Sequence, residues 1–432
     1  MEDVADQIRD AWTLSHFTQH PIRTSRLSLR PLAESDAADV WHYQSDREIL
    51  RYLPWPERTE AESHTHTQQR SRTNSTLVRT GDTLAIAIVH LDQVIGDLTL
   101  RVLKAEELRF EIGWVIASAH QGQGYAREAA EAALEFAFDT VGAHRVLAFL
   151  DARNDRSAIL CERLGLQREG TQFEFEWDAG TWVDLAGYGI DVESWRAQRS
   201  ERTPPPREIE PHEALPPKLL TPSNPGPVPL QLPFDAADLA TRPLLTDRLV
   251  VRPYQGSDAP AFHAMLADPE VTRHLTSGHI DEEEARRLVD ERARQTVLAH
   301  DGDAIRLAAT RDGVFAGNLK LQIESVHARS LEIGWALARE FQGQGLATEA
   351  AEALLRLAFT TLQAHRVFAY SEPANGASVA MATRLGMRPE QWRFSDWQRP
   401  DGTWGDGVLF AITATEWRAR ENNTQAPLPA DS

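Results

Sequence analysis

Residues 120–138 read HQGQGYAREAAEAALEFAF, and residues 341–359 read FQGQGLATEAAEALLRLAF. In each copy two glycines, two positions apart, precede an alanine-rich run with apolar residues at helical spacing. Glycine permits backbone angles, and an approach of a ligand, that other residues obstruct. The first amides of the following helix lack internal partners. Together with the helix dipole they make a seat for an anion, phosphate above all. Along the first run Glu128, Glu131, Glu135 and Asp139 form one stripe, expected to face solvent. Glu349, Glu352, Arg356 and Thr360 keep the stripe polar in the second, while Leu134 and Phe138 point elsewhere, toward a sheet.

Working outward, the repetition extends well beyond nineteen residues. Residues 111–165 align with 332–386 at a constant offset of 221, with 29 of 55 positions identical. SRLSLRPL at 25–32 pairs with DRLVVRPY at 247–254, and GTWVD at 180–184 with GTWGD at 402–406. A whole domain of roughly 180 residues is duplicated, far longer than a solenoid repeat. Between the copies, residues 201–243 hold 12 of the 24 prolines, which reads as a semi-rigid linker. The expected organisation is a helical segment 1–20, with Val4, Ile8 and Trp12 on one face. A domain 21–198, a linker 199–243, a domain 244–420 and a tail 421–432 follow.

Each half reads as mixed α/β, a mostly antiparallel sheet flanked by helices. TLAIAIVH, QVIGDLTLRVL and LRFEIGWVI are three strands with short turns, hence a meander. Helix starts fall at Ser35 and Thr59. A helix over 124–141, a strand HRVLAFL, a short helix ending near RLGL and two late strands, about 168–176 and 182–190, complete the half.

Composition narrows the classes. Hydrophobic content of 42% and charged content of 25% suit a soluble globular chain of two or three domains. No run of eighteen apolar residues exists to span a membrane. The opening MEDVADQIRD is unlike a signal peptide, and Cys161, the only cysteine, fits a reducing cytoplasm. A net charge of −19 opposes phosphate backbones and argues against nucleic-acid partners. His64 and His66 lack the neighbours a metal site needs, so no metal is expected.

GQGYAR lacks the third glycine of a dinucleotide-binding turn, and no Gly-Lys-Ser/Thr follows as in a P-loop. Gln121-x-x-Gly124-x-Ala126 and Gln342-x-x-Gly345-x-Ala347 instead match the Arg/Gln-x-x-Gly-x-Gly/Ala loop of the GNAT acyltransferases. EIGW upstream, and Asn154-x-x-Ser157 and Asn375-x-x-Ser378 downstream, stand where that pattern places them. Both halves resemble this family, and most nearly its ribosomal-protein-alanine N-acetyltransferase branch. The tandem layout is also similar to that of mycothiol synthase.

The resemblance implies two acyl-CoA N-acyltransferase folds using acetyl-CoA, without a metal. Its pantetheine arm would lie in a gap between the fourth and fifth strands, along Trp114, Val115 and Ile116, and along Trp335, Ala336 and Leu337 in the second copy. Gly113 and Gly334 would mark a bulge opening that gap. The pyrophosphate would rest on Gln121, Gly122, Gln123, Gly124, Tyr125 and Ala126, and on Gln342, Gly343, Gln344, Gly345, Leu346 and Ala347. Asn154 and Asn375 would reach the pantetheine or acetyl end. Glu111 and Glu332 are the candidate bases. The family often protonates the leaving thiolate with a tyrosine, whose positions here hold Cys161 and Ala382; Ser157 and Ser378 are the candidate replacements. Cys161 itself reads as a packed small residue. The acceptor is a protein N-terminus or a small-molecule amine, an antibiotic included. The alternative keeps one or both modules as a CoA-binding scaffold without turnover. A monomer forming an intramolecular pseudo-dimer is expected, with a higher oligomer as the alternative.

Overall fold

The computed structural model describes residues 14–53, 55–74, 76–178, 181–200, 228–275, 280–399 and 402–425. The part of the expected helical segment 1–20 that holds Val4, Ile8 and Trp12, the proline-richest part of the linker and the end of the tail lie outside these residues. The chain falls into two compact units, Met1–Thr171 with Asp184–Glu210, and Gln172–Val183 with Pro211–Ser432.

In the first unit, α1 (Leu14–Gln19) and β1 (Ser28–Pro31) lead to α2 (Ala37–Gln44) and α3 (Glu60–Thr73). Thr59 caps α3 through a capping box with Glu62, as its sequence spacing predicts. The meander follows as β2 (Thr83–His90), β3 (Gln93–Lys104) and β4 (Arg109–Ile116). β2 reads almost continuously apolar because helices cover both faces. Leu84, Ile86 and Ile88 join the main core, while Ala85 and Ala87 pack toward Val40, Tyr43 and Ile49. The glycine-led run becomes α4 (Tyr125–Glu135), extended by a wider helical turn to Val141 and stopped at Gly142. Then come β5 (Arg145–Asp151), α5 (Asp155–Arg163), β6 (Gln167–Asp178), β7 (Thr181–Asp191) and α6 (Val192–Arg199), of which Gln172–Val183 group with the second unit.

The sheet order β1-β2-β3-β4-β5-β7 is antiparallel except at β4–β5, which the α4 crossover makes parallel. That parallel pair is short. It joins Arg109 to Arg145, Phe110 to Val146 and Glu111 to Leu147. Beyond this, β4 stays paired with β3 as far as Ile116 and β5 with β7 as far as Asp151. The two strands therefore part, and a gap opens at the end of the sheet where α4 begins.

The second unit repeats the design with β8 (Val250–Pro253), α7 (Ala259–Ala267), α8 (Glu282–Arg294), β9 (Ala304–Arg311), β10 (Val314–Ser325) and β11 (Ser330–Leu337). α9 (Leu346–Arg356), β12 (Arg366–Ser371), α10 (Gly376–Arg384), β13 (Arg388–Gln398), β14 (Trp404–Thr413) and α11 (Ala414–Gln425) follow. Here β11 and β12 pair only through Ser330–Arg366, Leu331–Val367 and Glu332–Phe368 before parting.

Three expectations need correction. Residues 228–243 are not spacer: Leu230, Ala236 and Leu239 are buried in the second core, and Phe234–Asp235 pairs with Val297–Leu298. Apolar side chains overrule proline content there. No bulge interrupts the register at Gly113 or Gly334, which face Thr99 and Lys320; the register shifts of these two pairings lie at Val102/Lys104 and Ile323/Ser325. The crowded glycines are one strand away: a Cβ on Gly96 would lie 2.2 Å from the Val115 carbonyl oxygen, and one on Gly317 2.5 Å from that of Ala336. Finally, Glu128 is not on a solvated stripe, for reasons given next.

Candidate active site

Each glycine-led loop follows the free end of the parting strand. Gly124 and Gly345 are the N-caps of α4 and α9, with φ of 82° and 77° and no side-chain cap. The left-handed angle asks for glycine. It also leaves the first helical amides uncapped and aimed outward, as an anion seat requires. Gly122 and Gly343 share the left-handed region at 74° and 72°, and a Cβ on either would meet nothing within 4 Å. Angle, not crowding, selects glycine there.

The other loop residues hold the loop in shape. Gln121 Nε2 donates to the Ile116 carbonyl (2.9 Å), and Gln342 Nε2 to that of Leu337 (2.8 Å). Gln123 and Gln344 reach back to the carbonyls of Ala119 and Glu340. Tyr125 and Leu346 are buried; Ala126 and Ala347 pack against their cores.

A clamp that sequence reasoning missed fixes the loop to β1. Arg26 donates from Nη1 to the Gln123 carbonyl (2.9 Å) and from Nε to Glu128 (2.7 Å). Thr24, Ser25 and the Arg26 backbone bind the same carboxylate. Arg248 repeats this on the Gln344 carbonyl and Glu349. Burial alone would raise the Glu128 pKa, but hydrogen bonds from Thr24, Arg26 and Ser25 hold it down at about 2. The signal was present in the sequence as the Arg-Leu pair common to SRLSLRPL and DRLVVRPY.

The gap has two usable edges and two faces. The Ala117 N–H donates to the Ile95 carbonyl (2.8 Å), and bonded pairs alternate along an antiparallel ladder. Val115 therefore turns its backbone groups to β3, whereas Trp114 and Ile116 turn theirs to the gap. Ala338, bonded to the Ala316 carbonyl, sets the same phase in the second unit. Trp335 and Leu337 line its gap; Ala336, like Val115, does not. Ile112 and Ile116 enter the core beneath α4, while Val115 packs with Val40 and Tyr43 on the opposite face. Glu111 and Gly113 share that opposite face by strand alternation.

Trp114 and Ser157 are brought together: Trp114 Nε1 donates to Ser157 Oγ at 3.3 Å. Asn154 also has a structural task. Its side-chain carbonyl caps α5 by accepting from the Ser157 N–H (3.1 Å), and Asn375 caps α10 through Ser378 in the same way. Glu111 is paired with Arg101 (2.6 Å), and Glu332 with Lys320 (2.6 Å). They stand on the face opposite Trp114. Cys161 is fully buried and burial pushes its thiol up to about 12, so it packs rather than reacts.

On the Glu111 face another cluster had no sequence signal. Asp97 is buried and receives Tyr43 Oη and Arg70 (2.6 Å). Asn318 replaces Asp97 in the second unit and accepts from Tyr254 Oη (3.0 Å) and Arg292.

A sheet parted beside a parallel strand pair, with an uncapped helix start at its mouth, offers a slot between strands that ends at unpartnered helical amides. The chain belongs to the Acetyltransferase (GNAT) domain family, whose sequence pattern matches residues 26–167 and again 248–388. It is an acyltransferase. It is 29% identical over 174 residues to the uncharacterized N-acetyltransferase YnaD of Bacillus subtilis, spanning 40% of this chain and 98% of that one. It is 35% identical over 85 residues to the ribosomal protein uS5-alanine N-acetyltransferase of Escherichia coli, spanning 20% and 43%. Among solved structures it is similar to RimL, a ribosomal L7/L12 alpha-N-protein acetyltransferase in complex with coenzyme A. That likeness has 19% identity and a TM-score of 0.35 over 40% of this chain and 97% of that one.

Proposed function

We propose that each unit binds acetyl-CoA, with the pyrophosphate on the amides that follow Gly122 and Gly343 and the pantetheine along the free edge of β4 or β11. The acetyl group then passes directly to a primary amine within a ternary complex. The observation that carries this reading is the coincidence of an uncapped glycine-led helix with a parted parallel strand pair. The acceptor we favour is a protein N-terminus, in keeping with the uS5-alanine N-acetyltransferase relative. A small-molecule amine is the other class.

The amine must shed a proton before it attacks. An α-amino group, at a pKa of about 7.7–8.0, needs only a weak base or a water chain, whereas a lysine near about 10.4 needs more. Glu111, at the last bonded pair before β4 and β5 part, is the candidate base and would accept that proton through water. As the C–N bond forms, the C–S bond breaks and the thiolate takes a proton. Ser157, beside Trp114, is the group we assign to that proton; Ser378 is its counterpart. Among the described residues no helix is long and apolar enough to cross a membrane; we place the reaction in the cytoplasm, where Cys161 would stay reduced.

Thiol release on mixing the full chain with acetyl-CoA and alanine-starting peptides tests the reading, with polyamines and aminoglycosides as the competing acceptors. Release with peptides and not with polyamines supports it. No release with any amine would overturn it.

A further inference from the structure

The gap passes through the sheet, so an acetyl group threaded from the α4 side is open to the opposite face. There the two units differ along one row. In the first, Ala85 on β2, Thr99 on β3 and Gly113 on β4 lie side by side. In the second, the same row is Arg306, Lys320 and Gly334.

The consequence is visible at the glycines. A Cβ on Gly113 would meet nothing within 4 Å, so the space above it is open. A Cβ on Gly334 would meet Lys320 Cβ at 3.4 Å and Cδ at 3.7 Å. The lysine stem therefore lies along the glycine and delivers its ammonium to Glu332 at 2.6 Å, where the side chain is only 21% exposed. Arg306 stands beside it, close enough to feel both Arg292 and Glu332.

Resting on the acetyl-transfer reading above, we infer that Lys320 fills the acceptor approach of the second unit and engages its candidate base. The second unit then binds acetyl-CoA without passing acetyl to the amine served by the first. Two effects act together. The stem occupies the volume over Gly334 that an incoming amine would use. The ammonium, with Arg306 behind it, repels a substrate that arrives as a cation. Glu332, already neutralising Lys320, is not free to draw that substrate in. In the first unit Thr99 is shorter and touches the Arg70 guanidinium (3.4 Å), which Asp97 neutralises; nothing lies within 4 Å of a Cβ on Gly113, and the cation paired to Glu111 comes from Arg101, farther along the strand. Lys320 is one of three lysines in the chain.

An exchange of the two residues tests this in the full chain. T99K should lower thiol release at least about tenfold while titration calorimetry still counts two CoA sites. Adding K320T to T99K should recover activity by about tenfold or more. T99K retaining over half the wild-type rate with both sites filled would overturn the inference, as would a T99K/K320T chain no faster than T99K. Should T99K fail to fold, Gly124→Glu disables the first unit by another route; more than half the rate surviving in that variant is equally fatal, and its loss is the expected result. A wild-type chain that acetylates no amine fails at the acetyl-transfer reading itself and takes this inference with it.

Discussion

Arg26 and Glu128, 102 positions apart, meet through both the backbone N–H (2.8 Å) and the guanidinium Nε (2.7 Å) of the arginine. The same arginine holds the Gln123 carbonyl, so one side chain ties β1, the glycine loop and the first turn of α4 together. Removing it should loosen the loop without unfolding the unit. R26A is expected to weaken CoA binding in the first unit by about tenfold, the scale of one lost charge-assisted hydrogen bond. R248A should do the same in the second. Calorimetry on each single variant, with one weakened and one unchanged site, checks this; two unchanged sites would contradict it.

The clamp also has a pH signature. Glu128 is held at about 2, below the ordinary glutamate range, so its contribution is fully present above about pH 4.5. It is lost as the pH falls from there through about 2, because protonation then happens in the folded state as well. The difference in thermal stability between wild type and E128Q should therefore be constant from pH 7 to 5 and shrink toward pH 2. A difference that grows on acidification would contradict the assignment.

Cys161 should be inert in the native protein. Its thiol is buried and pushed up to about 12, so almost no thiolate exists at pH 8. A disulfide reagent should label it only after unfolding. Labelling of the folded chain within seconds would make it an accessible nucleophile instead.

The buried charges near the base of the gap bear on stability rather than chemistry. Arg366 and Glu390 pair with side chains fully buried, and Arg388 reaches the same carboxylate at 2.6 Å. R366M strands part of that buried charge and should destabilise the second unit by about 3 kcal/mol, the low end for such a loss because Arg388 remains. Replacing both partners, as R366M/E390L, should cost less than the single change. Denaturant unfolding of the two variants decides; a double variant less stable than R366M would contradict this account.

Much of the site could be read from residue order because its parts are local. A glycine pair before an alanine-rich run specifies a left-handed cap and a helix whatever the rest of the chain does. The three-strand meander is written in adjacent apolar runs with short turns. Tyr43–Asp97 is illegible for the opposite reason: its partners meet only after the sheet assembles, and each residue alone looks like an ordinary surface group; of Arg26–Glu128 the sequence shows the repeated Arg-Leu pair but not the partner it finds. Glu128 was misplaced on a solvated stripe because helical spacing says which residues share a face, not what covers it. Val115 was assigned to the gap because strand order gives a neighbourhood but not the phase of its hydrogen bonds. Residues 228–243 were assigned to the linker on proline content, although Leu230 and Leu239 had the apolar character to pack.

The central claim is that both glycine-led loops are phosphate seats. Titration calorimetry of the full chain with acetyl-CoA tests it most directly. Two sites per chain are predicted, with Gly124→Glu and Gly345→Glu each removing one and the double variant removing both. Each change forces a Cβ into a left-handed backbone and sets a carboxylate against the incoming phosphates. A wild-type stoichiometry of one, abolished by one variant and untouched by the other, would contradict the claim.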